Sequence, residues 1–339
     1  MTRYLKIFLR DRLNQSIQLA GFGKHPAWDD HIDDFGLTTE TLVSVRRILY
    51  SEGIASQVSS GAWNQLEESK QAFEFDHRFV WSREAQSVIG GIWASSDGKG
   101  RGHFPIVVCL QIGVNGWRAV RSFLAPVEQL GTDFQRAKEQ KKFRDVFAEA
   151  QQSLSRNLVR NSPVSPDEGE SEATAETRSD SLSSSISEVS GREPPAQRQE
   201  TVLDGMVALS QGIKKYQKQG GRERQGSAHL RLPAISARRK ENLEFWTGYL
   251  ETRLDFRLPC LTIASPGLGP IDIIAGEPEA RQFFCLRAPE SGLPMTPVSK
   301  TDKRFADARL AAKVYLQSFE QGVIQPVKEG LSRHWWPFK

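Results

Sequence analysis

The densest group of side chains able to do chemistry runs His25-Pro26-Ala27-Trp28-Asp29-Asp30-His31-Ile32-Asp33-Asp34. Imidazole nitrogens and carboxylate oxygens together are ligands for a divalent metal. A metal-dependent reaction centred on His25, Asp29, Asp30 and His31 is therefore one reading. The order matches no helical His-Glu-x-x-His pattern. A glycine precedes the run and a helix is expected after it. The other reading is thus a loop into a helix, structural or partner-binding, where carboxylates cap free N–H groups and favour the positive helix end.

A second polar run, Ser95-Ser96-Asp97-Gly98-Lys99-Gly100-Arg101-Gly102, has the glycines and the lysine of a phosphate cradle. It lacks the G-x-x-x-x-G-K-[ST] spacing, and an apolar strand-like segment follows it instead of a helix. A turn between two strands is the simpler expectation. Arg101 stands just before that segment, where its guanidinium would meet a carboxylate of the Asp29–Asp34 loop, Asp30 being the expected partner. No nucleophile elbow G-x-S-x-G is present. Cys109, Cys260 and Cys285 have no C-x-x-C spacing, which argues against a disulfide framework and for a reducing compartment. Cys109 falls inside an apolar run and reads as an inert buried thiol. His77 and His103 stand alone beside strands and read as satisfied structural histidines.

These residues need elements to position them. The segment around 18–22 reads as a strand ending in the turn Gly21–Gly23. A helix capped by Thr38 or Thr39 follows, with Leu42, Val45 and Leu49 on one face and Gly53 as its stop. Three strand-like segments come next, at 75–81, 87–94 and 104–112. The last is nearly continuous in apolar residues, as for a strand covered on both faces. A long helix is expected from Pro126 through Leu130, Phe134, Ala137, Phe143, Phe147, Ala150, Leu154 and Leu158. Later, Val202, Met206, Leu209, Ile213 and Tyr216 recur at helical spacing, for burial in the domain or for docking a partner. A helix over 237–254 capped by Ser236, strands at 260–264, 271–275 and 283–286, and a final helix carrying Phe305, Ala308, Ala312, Tyr315 and Phe319 complete the reading. The fold class expected is α/β, a mixed sheet with helices on both faces in the N-terminal part and a second, smaller α/β part after a linker.

The chain has 339 residues and a net charge of +4, which hides a local asymmetry. From Pro163 to Glu200, nine acidic residues face Arg178, Arg192 and Arg198, a net of −6. That stretch has no aromatic residue and cannot offset the roughly 1–2 kcal/mol per residue of backbone ordering, so 161–200 reads as a disordered linker. It separates a part spanning 14–160 from one spanning 201–325, with an aromatic tail at 326–339. From Lys214 to Lys240, nine Lys or Arg face Glu223 alone, a net of +8. Tyr216 is the aromatic residue of that stretch, so the stacking pattern of an RNA-binding surface is missing and nucleic acid is not the expected partner. A flexible arm contacting acidic groups is the alternative. No apolar run approaches the ~18 residues of a membrane-spanning helix, and no signal-peptide core stands at the start.

Gly21-Phe22-Gly23-Lys24-His25-Pro26 followed by Asp30-His31-Ile32, with the later Gly100-Arg101-Gly102-His103-Phe104-Pro105-Ile106, resembles two motifs of the TagF (ImpM) family of type VI secretion accessory proteins. The resemblance covers about 18–125. It departs at Asp29-Asp30-His31, where the family has Gly-Asp-Phe, and at the extra Gly102. It implies a bacterial, cytoplasmic protein without enzymatic activity or cofactor. Such a protein regulates the secretion apparatus post-translationally by binding its FHA-domain component. The metal motifs of the phosphatase fused to some family members are absent. The residues expected at the contact surface are Gly23, Lys24, Pro26, Asp30, Arg101, Phe104 and Pro105. Within the linker, Thr177-Arg178-Ser179-Asp180 places an acid three residues after a threonine, a pattern FHA domains read once phosphorylated; a plain tether is the other reading.

Overall fold

A computed structural model describes residues 17–32, 34–64, 66, 72–83, 86–160, 195–218, 226–254, 256 and 258–322. Asp33, most of the acidic linker with Thr177, and the aromatic tail lie outside the described residues. The strands are β1 (Gln18–Gly23), β2 (Asp76–Arg83), β3 (Gln86–Trp93), β4 (Ile106–Ile112), β5 (Ala228–Leu232), β6 (Cys260–Ala264) and β7 (Ile271–Ala275). They form one sheet in the order β1-β4-β3-β2-β6-β7-β5. Every pairing in it is antiparallel, so the expectation of a mixed sheet is corrected. Hairpin-like connections such as β2–β3 and β6–β7 return the chain beside itself, and antiparallel neighbours need no helical crossover. The strands of the C-terminal half do not build a sheet of their own. Residues 78–82 of β2 pair with residues 260–264 of β6 and make the two halves continuous.

Alternation along the strands feeds two cores, one on each face. On β4, Ile106, Val108, Leu110 and Ile112 face one core while Val107 and Cys109 face the other. The first face is covered by α3 (Gly116–Arg136), α4 (Gln140–Arg160), α5 (Pro195–Lys218), α6 (Arg239–Gly248) and α7 (Phe305–Glu320). The second face lies under α1 (Glu40–Val45), its wider-wound continuation (Arg46–Ile54), α2 (Ala55–Ser59) and a short 3-10 helix (Ala280–Leu286). Helices on both faces are thus observed.

Several local expectations change. Thr39 caps α1, its hydroxyl accepting from the Leu42 N–H, but Gly53 does not end the helix. A Cβ there would lie 2.5 Å from Phe283, so the glycine serves the close approach of the 3-10 helix. The long helix begins ten residues before Pro126, at Gly116, behind the cap Asn115. The Glu251 carboxylate also accepts from the N–H groups of Gly116 and Trp117, at 2.8 and 3.2 Å. The helical periodicity through Phe143 belongs to two helices, because the chain leaves helical geometry at Ala137. Residues 283–286 are not a strand; Glu279 and Gln282 form a capping box that starts the 3-10 turn. Pro195–Glu200 of the expected linker open α5, whose Val202, Met206, Leu209 and Ile213 are buried in the molecule's own core. Within the basic stretch, Ala228–Leu232 is edge strand β5, and its Arg231 is buried.

Candidate functional site

The two polar runs meet at one corner of the sheet. β1 ends at Gly23, whose φ of +112° lies in the left-handed region that favours glycine. A Cβ there would sit 2.2 Å from the Pro105 carbonyl oxygen. That closeness lets the Lys24 N–H donate to Pro105 O at 3.1 Å, while Ile32 N–H returns to Gly23 O at 2.8 Å and closes the loop at its base.

Asp97 holds the two runs together. Its Oδ2 accepts from Lys24 Nζ and from Arg101 Nε, both at 2.7 Å. Its Oδ1 accepts from the N–H groups of Lys99 and Arg101 at 3.0 and 2.9 Å. Burial alone would raise this carboxyl's pKa. The hydrogen bonds from Lys24 and Arg101 outweigh burial and hold it well below the usual carboxylate range. The side chains of Lys24 and Asp97 are 4% and 0% exposed, so this is a buried ion pair. Lys24 Nζ also stands 5.3 Å from the Phe104 ring centroid.

Arg101 reaches across to the first run. Its Nη2 donates to Asp29 O at 2.8 Å and lies 3.6 Å from Asp30 Oδ1. The expected Asp30–Arg101 proximity is present, but both side chains are more than half exposed and the principal partner of Arg101 is Asp97. Asp30 does not cap a helix. Its carboxylate bonds His31 Nδ1 at 3.0 Å, and that hydrogen bond lowers its pKa. The His31 ring stands edge-on to Tyr50 and Phe104. Pro26 is exposed, Phe104 half-buried and Pro105 buried. The outer surface of the corner is therefore Pro26, Asp29, Asp30, His31, Lys99 and Arg101, around a Phe104–His31 aromatic shelf.

His25 is separated from that surface. It is buried, its Nε2 at 2.8 Å from Phe134 O and its Nδ1 accepting from the Ala27 N–H at 3.1 Å. This pattern assigns the neutral Nε2–H tautomer, and burial lowers its pKa. Trp28 and Phe143 meet the ring edge to face. With both nitrogens engaged inward, His25 does not join Asp29, Asp30 and His31 as a ligand set. Among the described residues, ligand atoms close enough to share one metal ion occur elsewhere, at His229, Asp272 and Cys285.

Asp97 was not anticipated as the organising residue. Its signal was in the sequence: an Asp before Gly-Lys-Gly favours a side-chain-to-backbone turn, and Gly100 adopts a positive φ of +78° in that turn. The lone His77 is not the satisfied histidine expected. It is fully buried on β2, neither ring nitrogen has a hydrogen-bond partner, and burial pushes its pKa down to about 3.

No family profile matches the chain, and no curated protein matches it. A solved structure, PA0076 from Pseudomonas aeruginosa PAO1, is similar over 44% of this chain, at 21% identity and a TM-score of 0.25. The match covers 64% of the Pseudomonas chain, under two thirds of its length. No helix among the described residues is long and apolar enough to cross a membrane.

Proposed function

We propose that this protein is a TagF-like accessory regulator of type VI secretion in a bacterial cytoplasm, acting by protein contact and without catalysis on the FHA-domain component of the apparatus. One observation carries the reading. The two segments that resemble the family's motifs, more than 60 residues apart in sequence, are joined by the Lys24 N–H to Pro105 O hydrogen bond and by Arg101 bridging to Asp29, while the buried Asp97, just before the second segment, holds both Lys24 and Arg101. Residues distant in sequence but built into one rigid corner suit a recognition surface, because the backbone and the ion pair preorganise what a partner meets. Gly23, Lys24 and Pro105 form the inner frame of that surface. Pro26, Asp30, Arg101 and Phe104 supply its outward contacts.

The test is co-purification of the native host's FHA-domain component on the intact chain, compared with Arg101→Glu, alongside type VI-dependent secretion in strains carrying each form. Retention by the wild type, loss in the variant and altered secretion support the reading. Equal retention by both, with unchanged secretion, removes the corner from the function.

A further inference from the structure

We infer that His229, Asp272 and Cys285 form a binding site for a divalent transition metal of the zinc type, at the opposite end of the sheet from the proposed recognition corner. One ligand atom from each residue lies within 4.8 Å of the other two. The three come from different elements, the edge strand β5, its neighbour β7 and the 3-10 helix, so the completed fold is what brings them together. The register explains the placement. Arg231 pairs with Asp272 and His229 with Ile274, so alternation puts His229, Arg231 and Asp272 on one face of the sheet. The 3-10 helix covers that face and delivers Cys285.

The donor set is chemically suited to zinc, which takes imidazole nitrogen, carboxylate oxygen and thiolate sulfur. His229 Nε2 already points at Asp272 Oδ1, 2.8 Å away. Side-chain exposure is 17% for His229 and 1% for Asp272, so the site opens toward solvent on the histidine side, where a water can complete four-coordination.

Arg231 is the outer support. Its Nε and Nη2 hold both Asp272 oxygens, at 2.9 and 3.0 Å. Nη2 also donates to Cys285 O at 3.0 Å, and Nη1 to Ala288 O and Leu293 O, both at 2.9 Å. One guanidinium thus fixes the carboxylate and the backbone that carries the thiol, the role of hydrogen-bonded groups around metal ligands. Arg231 offsets the charge of Asp272. A bound metal would replace the His229 Nε2–Asp272 Oδ1 hydrogen bond: the imidazole would coordinate as its Nδ1–H tautomer, the Nε2 proton exchanging through solvent, and the Cys285 thiol proton would pass to buffer as the S–metal bond forms.

The experiment uses the full chain, free of any histidine tag and stripped of metal, titrated with Co2+ and separately with Zn2+. The expected result is one cobalt per chain with a thiolate-to-cobalt charge-transfer absorption. Cys285→Ser abolishes that absorption although Cys109 and Cys260 remain. Zn2+ raises the melting temperature of the wild type, and His229→Gln weakens Zn2+ binding at least about tenfold with an unchanged circular dichroism spectrum. Absence of the absorption at stoichiometric cobalt, or its survival in Cys285→Ser, would overturn the assignment and leave Arg231, Asp272 and His229 as a purely structural ion network.

Discussion

Replacing Arg231 by Met in metal-free buffer gives the strongest stability test of the shared sheet. Arg231 is 2% exposed and donates to both Asp272 oxygens. Without it, a fully buried carboxylate keeps His229 and the Cys285 thiol as side-chain partners. Removing one member of a buried pair costs about 3–5 kcal/mol. The carbonyls of Cys285, Ala288 and Leu293 also lose their donor, at roughly 1 kcal/mol each where burial denies them water. A loss of about 3–8 kcal/mol is a large part of the ~5–15 kcal/mol of a native protein. The assay is equilibrium urea unfolding followed by tryptophan fluorescence at pH 7.5 and pH 4.5. In the wild type, Asp272 is held below its ordinary value of 3.8, because the hydrogen bond from His229 and the Arg231 charge outweigh burial. Its contribution is present above that value and is lost as pH falls through the lowered one. In Arg231→Met, burial acts on Asp272 without that charge and raises its pKa. Acidification then neutralises the stranded carboxylate, which narrows the gap between variant and wild type. A loss below about 1 kcal/mol at pH 7.5, or a gap that widens at pH 4.5, would refute the reasoning.

Three further outcomes are expected. Gly23→Ala, forced to keep φ at +112° with its Cβ against Pro105 O, loses about 1–3 kcal/mol in urea unfolding and weakens partner capture; unchanged stability would show that the corner relaxes freely. His77 stays neutral down to about pH 3 while the unfolded chain takes up a proton near 6.5, so stability falls as pH drops below 6.5, by about 2–3 kcal/mol at pH 4.5. His77→Leu removes that slope, and an equal slope in the variant would contradict it. Arg101→Ala removes one of the two side-chain donors to the buried Asp97 carboxylate, so it costs about 1–3 kcal/mol in urea unfolding and lowers partner affinity at least about tenfold in a binding titration; unchanged stability would show that Lys24 alone satisfies Asp97.

Periodicity carried much of this fold in the sequence. The apolar run of β4, the strands at Cys260–Ala264 and Ile271–Ala275, and the spacing of Val202 to Ile213 all reflect side chains that must be buried. What escaped was decided by partners far away in the chain. Gly53 reads locally as a stop, but Phe283 requires a residue without a side chain there. β5 was hidden because Arg231 counts as a surface charge until Asp272 stands across from it. Whether the N-terminal sheet is mixed or antiparallel depends on the direction in which β1 meets β4, and whether the halves share one sheet depends on β2 meeting β6; no local pattern states either. At the corner, the sequence offered Asp30 as the partner of Arg101. Asp97 takes that place because its own turn brings the carboxylate to the Arg101 N–H and Nε while Lys24 arrives from the other side.

The central claim is recognition of an FHA-domain component through this corner. Isothermal titration of that purified component from the native host into the intact chain tests it most directly. The account predicts saturable one-to-one binding that Arg101→Glu weakens at least about tenfold without unfolding the chain. Absence of binding, or equal affinity in the variant, would contradict it.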